Sequence, residues 1–571
     1  MERKKMKVVI VGGVAVGPKT AARLRRLNPE AEITIVEKGK VLSYAGCGMP
    51  YYVSGEVPES KNLMDTPAGV IRDSLFFLNV KGITVLGRTL AEKIDRKGKT
   101  VSGVHLETGE RRVLPYDKLV LATGGSPIEL PIEGKNLNHV FRMWQPEDAL
   151  SIREFIQEKK PKKAVIIGGG LIGIEMTEAL AKQGLEVTVL ELLPQLLPGL
   201  LDEEAAVYLA RYLGSKGVEV RCGSRVTRIV GDDQGNVQKV STEKGEVPAD
   251  MVLIAVGVRP NSKLAKEAGV EIGGIGEIKV NEYLQTSDPD IYAGGDCVRN
   301  THLLTGKPVF APMGSTANKH GRVIANNIMG HGERFKGVLG TAVVKVFDYN
   351  VGKTGLTETQ AREAGFEVVT ALVPSSDVPH YYPTKKPLLL KLIADRKSRK
   401  VLGIQGVGPG EVVKRIDVLA TAMTFGATVD DLSSIDLGYA PPYATAIDIA
   451  VHAVNILRNK MEGTAHPETP QGVKGMLDRG DSFTFLDVRS PDEYKQTRIE
   501  DPRVKLIPLG TLRRRVQEIP KDKKIVTLCK AGLRAYEAQT ILEGAGFKDV
   551  KFMDGGMEGW PYEKFVEKKG S

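Results

Sequence analysis

The sequence predicts a multidomain α/β protein built around two copies of a strand–glycine turn–helix–strand unit. Three observations predict this. The apolar run KVVIVGG from Lys7 enters a glycine-rich turn at Gly12–Gly17, and KAVIIGGG from Lys163 enters another at Gly168–Gly173. Beyond about residue 335 the texture changes to alternating apolar and polar residues. The 571 residues also exceed the ~250–300 that one hydrophobic core serves.

Each element follows from its pattern. KVVIVGG is unbroken rather than alternating, as in a parallel strand covered on both faces. The next helix turns Ala21, Ala22, Leu24 and Leu27 inward and Arg23, Arg25 and Arg26 to other faces, and AEITIVEK is the second strand. LIGIEMTEALAKQG and LEVTVLE repeat the arrangement after the second turn. TAVVKVFDY, EVVTALV and PLLLKLIAD then alternate like antiparallel strands, with helices near 410–425 and 444–460, which makes a separate α+β domain. The polar stretch EGTAHPETPQG at 462–472 reads as a linker. The last hundred residues form another small α/β unit with strands FTFLDV and KIVTLC.

Composition excludes several classes. Hydrophobic content of 42% and charged content of 26% are those of a soluble globular chain. The basic start and apolar stretch of MERKKMKVVIVGG run too soon into Gly12, Gly13 and Gly17 for a secretory signal, and no apolar run reaches the ~18 residues of a membrane span. Four cysteines are too few for a disulfide framework. A cytoplasmic protein is expected. The net charge of +10 forms no basic arm, so it suits anionic small molecules rather than nucleic acid.

The first turn, G-G-V-A-V-G, departs from G-x-G-x-x-G at Val14, but a strand precedes it, a helix follows, and Glu37 ends the next strand. In such a unit the helix N-terminal amides hold a pyrophosphate and the carboxylate holds a ribose hydroxyl. The second turn matches fully through Gly168, Gly170, Leu171, Ile172 and Gly173. Glu191 closes its second strand, where a carboxylate suits the 2′-hydroxyl of NADH and repels the extra phosphate of NADPH. LVLATGGSP at 119–127, with Ala122, Thr123 and Gly124, reads as the return to the first nucleotide, and VLIAVGVRPN at 252–261, with Gly257, as the return to the second. DIYAGGDC at 290–297 carries Asp296.

Over roughly residues 5–460 the chain resembles the pyridine nucleotide-disulfide oxidoreductases. The resemblance implies FAD on the first unit, at Gly12, Gly13, Val14, Gly17, Glu37, Lys38, Ala122, Thr123, Gly124 and Asp296. It implies NADH on the second unit, which is inserted in the FAD domain, and a C-terminal dimerisation domain that makes a homodimer. Cys47 sets the subclass. Dithiol members carry C-x4-C, and here Tyr52 takes the second position. A lone thiol implies a mixed disulfide, sulfenic acid or persulfide.

SYAGCGMPYY resembles the S-F-x-x-C-G-x-P-Y-Y of coenzyme A-disulfide reductases. That resemblance implies coenzyme A near Arg23, Arg26, Ser43 and Asn62, with Tyr381 and Tyr439 reaching the cysteine across a dimer to protonate a leaving thiolate. Gly46 stands where these reductases often carry Asn, and Ala15 where related peroxidases carry His, which argues against a dedicated peroxidase.

LDVRSPDEY at 486–494, the run Cys529–Arg534 and DGGMEGW at 554–560 resemble a rhodanese domain over about 470–565. The resemblance implies a loop whose backbone N–H groups, with Arg534 nearby, stabilise a thiolate or persulfide on Cys529. Thr497-Arg498-Ile499 replaces the usual Gly-His-Ile. Cys222 and Cys297 are expected to be packed structural thiols. His302, His320, His380 and His466 are scattered, so no metal is assigned.

The expected architecture is thus α/β: two Rossmann-like nucleotide-binding domains, an α+β dimerisation domain and a small α/β rhodanese domain. Expected boundaries are 1–115 (FAD, first part), 116–160 (return and connection), 161–245 (NADH), 246–335 (FAD, second part), 336–461 (dimerisation), 462–472 (linker) and 473–571 (rhodanese). The expected activity is NADH-dependent reduction of CoA persulfide, polysulfide or CoA disulfide. An NADH oxidase cycling through a sulfenic acid, and a redox-sensing or sulfur-delivery partner, are the alternatives.

Overall fold

The structure, a computed structural model, describes residues 5–563 and 565–566. The chain divides into two compact units, Met1–Pro194 with Gly217–Val338, and Gln195–Lys216 with Leu339–Ser571.

In the first unit, Lys7–Val11 is central in a five-stranded parallel sheet ordered Ile291–Ala293, Lys118–Leu121, Lys7–Val11, Glu32–Val36, Thr84–Leu86. Its unbroken apolar run has a direct cause. Val8 and Ile10 pack on one face with Leu24 and Ile324, while Val9 and Val11 pack on the other with Leu119 and Val298. Helices Val16–Leu27 and Gly314–Ile328 cover the first of these faces. A second parallel sheet runs Glu219–Arg221, Glu186–Leu190, Lys163–Ile167, Met251–Ile254, Val140–Phe141. Two antiparallel meanders, Thr89–Asp95 to Arg111–Pro115 and Val226–Gly231 to Gly245–Pro248, went unread in the sequence.

In the second unit, five antiparallel strands run Ala342–Val346, Tyr349–Gly355, Val401–Gly408, Pro387–Asp395, Val368–Ser376, so Val368–Ser376 is an edge strand. The stretch TAVVKVFDY does not stay one strand, because Phe347 turns with φ +50° into Tyr349–Gly355. Helices Val413–Thr424 and Ile449–Met461 complete this domain.

The C-terminal sheet is parallel, ordered Pro467–Glu468, Val550–Met553, Lys524–Leu528, Phe483–Asp487, Val504–Leu506. The segment 462–472, read as linker, has regular structure only at its end. Pro467–Glu468 pairs in this sheet, and Thr469 caps the helix Pro470–Asp478 by accepting from Gly472 N–H. Its Thr and Pro are N-cap and first-turn residues rather than marks of open chain.

Candidate functional site

The two glycine turns are built alike. Gly12 has φ +118°, and a Cβ there would lie 2.1 Å from Ala122 O; one on Gly17 would lie 1.9 Å from Gly12 O. In the second turn Gly168 has φ +111°, and Cβ atoms on Gly168 and Gly173 would lie 2.4 Å from Ala255 O and 2.0 Å from Gly168 O. Only glycine permits these approaches. Gly13 N–H donates to Glu37 Oε2 at 2.6 Å and Gly39 N–H to Oε1 at 2.7 Å. Gly169 N–H donates to Glu191 Oε2 at 2.6 Å and Leu193 N–H to Oε1 at 2.8 Å. Both carboxylates therefore brace their turns and keep spare lone pairs.

Space over Gly170 is open to 4 Å, and half-buried Val14 takes its place in the first turn. The helices from Val16 and Leu171 start without a side-chain cap or an acid in the first turn. Unsatisfied amides beside fixed carboxylates fit a dinucleotide in each turn, FAD in the first and NAD(P)H in the second. Leu171 and Ile172 are half-buried in the first turn of that helix, and Lys38 is exposed beside Glu37.

The return segments converge. Ala122 N–H donates to Val11 O, beside the first turn. Thr123 Oγ1 donates to Asn261 O at 2.5 Å, Asn261 Nδ2 returns to Thr123 O at 3.0 Å, and Gly125–Pro127 pairs with Val258–Pro260 just after Gly257. Gly124 and Gly257 take φ +64° and +101°. Asp296 is half-buried, and burial pushes its carboxyl up to about 6. Cys297 is buried, with Sγ donating to Gly294 O at 3.3 Å, and has a packing role. His320 is buried with Nδ1 accepting from Gly295 N–H, and burial lowers it to about 4.

Cys47 lies in the turn Gly46–Gly48, ahead of the helix Met49–Ser54. The residue is exposed, yet its thiol is pushed up, first by partial desolvation and then by the charges of Glu175 and Asp296. Tyr52 is buried; its carbonyl accepts from Arg153, whose guanidinium sits 4.4 Å from the ring centroid. It therefore packs where a dithiol enzyme would keep its second sulfur. Sequence reading missed Glu175, on the helix Leu171–Lys182. Burial raises its carboxyl to about 7. An acid in the apolar run LIGIEM was the available signal.

Ser43 is pinned by Arg72, whose Nη1 donates to its carbonyl at 2.8 Å. Asn62 is exposed and leans on Asp65. Arg23 Nε donates to Asn326 Oδ1 at 2.9 Å, whereas Arg26 is exposed on the same helix. In the second unit Tyr381 and Tyr439 line a cavity of about 350 Å³ with Ser375, His380 and Thr445, and the neighbouring Tyr439 pushes the Tyr381 hydroxyl up.

Cys529 ends the strand Lys524–Leu528 and is buried. Gly532, with φ +107°, donates its N–H to Cys529 Sγ at 3.1 Å and opens the helix Leu533–Gly544. Arg534 is the second residue of that helix. It forms a bidentate pair with Glu493 at 2.7 and 2.8 Å, which holds that carboxyl down at about 2. Arg534 also interacts electrostatically with Cys529. Cys222 is half-buried just beyond Glu219–Arg221. No cluster of metal-ligating side chains occurs among the described residues, and no helix there is long and apolar enough to cross a membrane.

Paired dinucleotide turns beside a lone thiol define a nucleotide-dependent thiol oxidoreductase, here in one chain with a second cysteine whose sulfur accepts from the Gly532 amide. Comparison with known proteins is in keeping with this. Residues 6–317 match the pyridine nucleotide-disulphide oxidoreductase model, 341–451 its dimerisation domain and 469–562 the rhodanese-like domain. The chain belongs to the pyridine nucleotide-disulphide oxidoreductase family. It is 40% identical over 457 residues to the NAD(P)H coenzyme A polysulfide/persulfide reductase of Pyrococcus horikoshii, covering 80% of this chain and 99% of that one. The NAD-dependent persulfide reductase from A. fulgidus is 46% identical with a TM-score of 0.92, covering 97% of this chain and 100% of the other. Reduced Bacillus anthracis CoADR-RHD is 36% identical with a TM-score of 0.91, covering 98% of each chain.

Proposed function

We propose that this chain is an NADH-dependent flavoprotein reductase of low-molecular-weight sulfane sulfur, acting on CoA persulfide, polysulfide or CoA disulfide. One observation carries the reading: Cys47 is a solitary exposed thiol, with Tyr52 packed in the partner position. Such a thiol must bond covalently to its substrate. Relatives named as polysulfide/persulfide and persulfide reductases, matching 80% and 97% of this chain, support this choice.

FAD, when bound, supplies the two-electron relay between NADH and the thiol. The Cys47 thiolate attacks the substrate S–S bond, forming a new disulfide to Cys47 and expelling a thiolate or hydrosulfide. Tyr381 or Tyr439 of a dimer gives the leaving sulfur its proton. Two electrons then split the Cys47 disulfide and restore the thiolate. For CoA persulfide the balance is one NADH and one proton consumed, with CoA thiol, hydrogen sulfide and NAD⁺ released. Arg23 and Arg26 are suited to the CoA phosphates. Glu191 favours NADH by repelling a 2′-phosphate. Cys529 carries sulfane sulfur as a persulfide, and its tether to the reductase raises the local concentration of that group. A homodimer and a cytoplasmic location complete the reading; four unpaired cysteines suit a reducing compartment.

The test is steady-state NADH oxidation with CoA persulfide or polysulfide. A Cys47→Ser variant is expected to lose turnover, and unchanged turnover overturns the assignment. Oxygen consumption without a sulfur substrate, at a rate near the sulfur-dependent one, would make the enzyme an NADH oxidase instead.

A further inference from the structure

The persulfide loop is fastened from outside its own domain. Lys460, on the helix Ile449–Met461, is buried. Its Nζ donates to Thr370 O at 2.7 Å and to Asp554 Oδ2 at 2.7 Å. Asp554 is also buried, and its Oδ2 accepts from Leu372 N–H at 3.1 Å. Thr370 and Leu372 belong to the edge strand Val368–Ser376. The ion pair therefore occupies backbone groups that no further strand satisfies.

Asp554 begins the turn Asp554-Gly555-Gly556, whose two glycines have φ +69° and +57°. The turn is wedged between two surfaces. A Cβ on Gly555 would lie 3.0 Å from Leu372 Cδ2, and one on Gly556 only 2.5 Å from Cys529 O. Directly after the turn, Met557 N–H donates to Cys529 O at 2.9 Å and Glu558 N–H to Lys530 O at 3.0 Å. These bonds occupy the first two carbonyls of the loop. The Gly532 amide is left facing Cys529 Sγ.

We infer that Lys460 and Asp554 are positioning residues for sulfur transfer at Cys529, acting through the Asp554–Glu558 turn. The inference rests on the reading that Cys529 carries sulfane sulfur. Within that reading, the geometry of the loop amides depends on an ion pair with the neighbouring domain. A charge pair taken out of water holds one geometry when both partners are present, and loss of one partner leaves the other uncompensated. Misplacement of a donor set by about 1 Å can cost roughly 10²-fold in rate.

Thiosulfate and cyanide are the probes. The Cys529 thiolate takes the outer sulfur of thiosulfate and releases sulfite. Cyanide then takes that sulfur as thiocyanate and restores the thiolate. The full-length enzyme would be assayed as wild type, Lys460→Met, Lys460→Arg, Asp554→Asn and Cys529→Ala, with NADH-dependent turnover at Cys47 measured alongside. In Lys460→Met and Asp554→Asn, kcat for sulfur transfer is expected to fall roughly 10- to 100-fold with KM for thiosulfate nearly unchanged. Lys460→Arg should recover most of it, and Cys47 turnover should hold.

Unchanged kcat in folded Lys460→Met and Asp554→Asn would overturn the inference, whatever happens to their melting temperatures. Should Lys460→Met fail to fold, the near-isosteric Asp554→Asn decides. Full sulfur transfer in Cys529→Ala would instead overturn the underlying reading.

Discussion

Replacing Arg534 with Met should destabilise the C-terminal domain in a way that depends on pH. The guanidinium holds the Glu493 carboxyl at about 2 rather than 4.5. At about 1.36 kcal/mol per pH unit, that depression corresponds to roughly 3 kcal/mol. The side chains are 34% and 30% exposed, and Ser490 also holds the carboxylate. Screening and the remaining bonds reduce the expected loss to about 1–2 kcal/mol at pH 7.

The sign follows from the depressed folded value. The contribution is complete above the unfolded value of 4.5 and is lost as pH falls through about 2. By pH 3 less than about half should remain. The chain has two tryptophans, and Trp560 is buried in this domain. A Trp144→Phe background therefore leaves its fluorescence as the reporter. Urea denaturation of this background with and without Arg534→Met, from pH 7 to pH 3, measures the gap. Equal midpoints at pH 7, or a gap undiminished at pH 3, would refute the reasoning.

Other outcomes follow from the turns and the thiol. Gly12→Ala places a Cβ 2.1 Å from Ala122 O at φ +118°, so the purified protein should lose its flavin absorbance. Glu175→Gln removes a negative charge that raises the Cys47 thiol, so alkylation of Cys47 at neutral pH should speed up several-fold, read by peptide mass spectrometry. The wild-type alkylation profile should also carry an inflection near 7, where Glu175 titrates, and the variant should lack it.

Local chemistry was the most legible part of the sequence. A glycine turn, its preceding apolar strand and its closing carboxylate lie within one short stretch, and each residue type follows from a backbone angle or a close approach. The bracing bonds from Gly13 to Glu37 and from Gly169 to Glu191 extend that pattern. Long-range pairing was not legible. The Glu493 partner of Arg534 comes from 41 positions away and leaves no local mark. Lys460 and Asp554, 94 apart, carry no local signal at all. The meanders at 89–115 and 226–248 escaped notice because their strands are polar and half-exposed. The elements at the end of the 462–472 stretch were not legible because capping residues and solvated chain share a composition.

The bracing of Glu37 and Glu191 also bears on the timing of recognition. Each carboxylate is immobilised by its own turn when the chain folds. Ordering a flexible side chain at the moment of association costs about 0.5–1.5 kcal/mol, and here that entropy is surrendered earlier. Within the proposed function, an incoming nucleotide would meet a rigid rim rather than a mobile one. Within that function, an ill-matched ribose would then be disfavoured without any rearrangement of these two side chains.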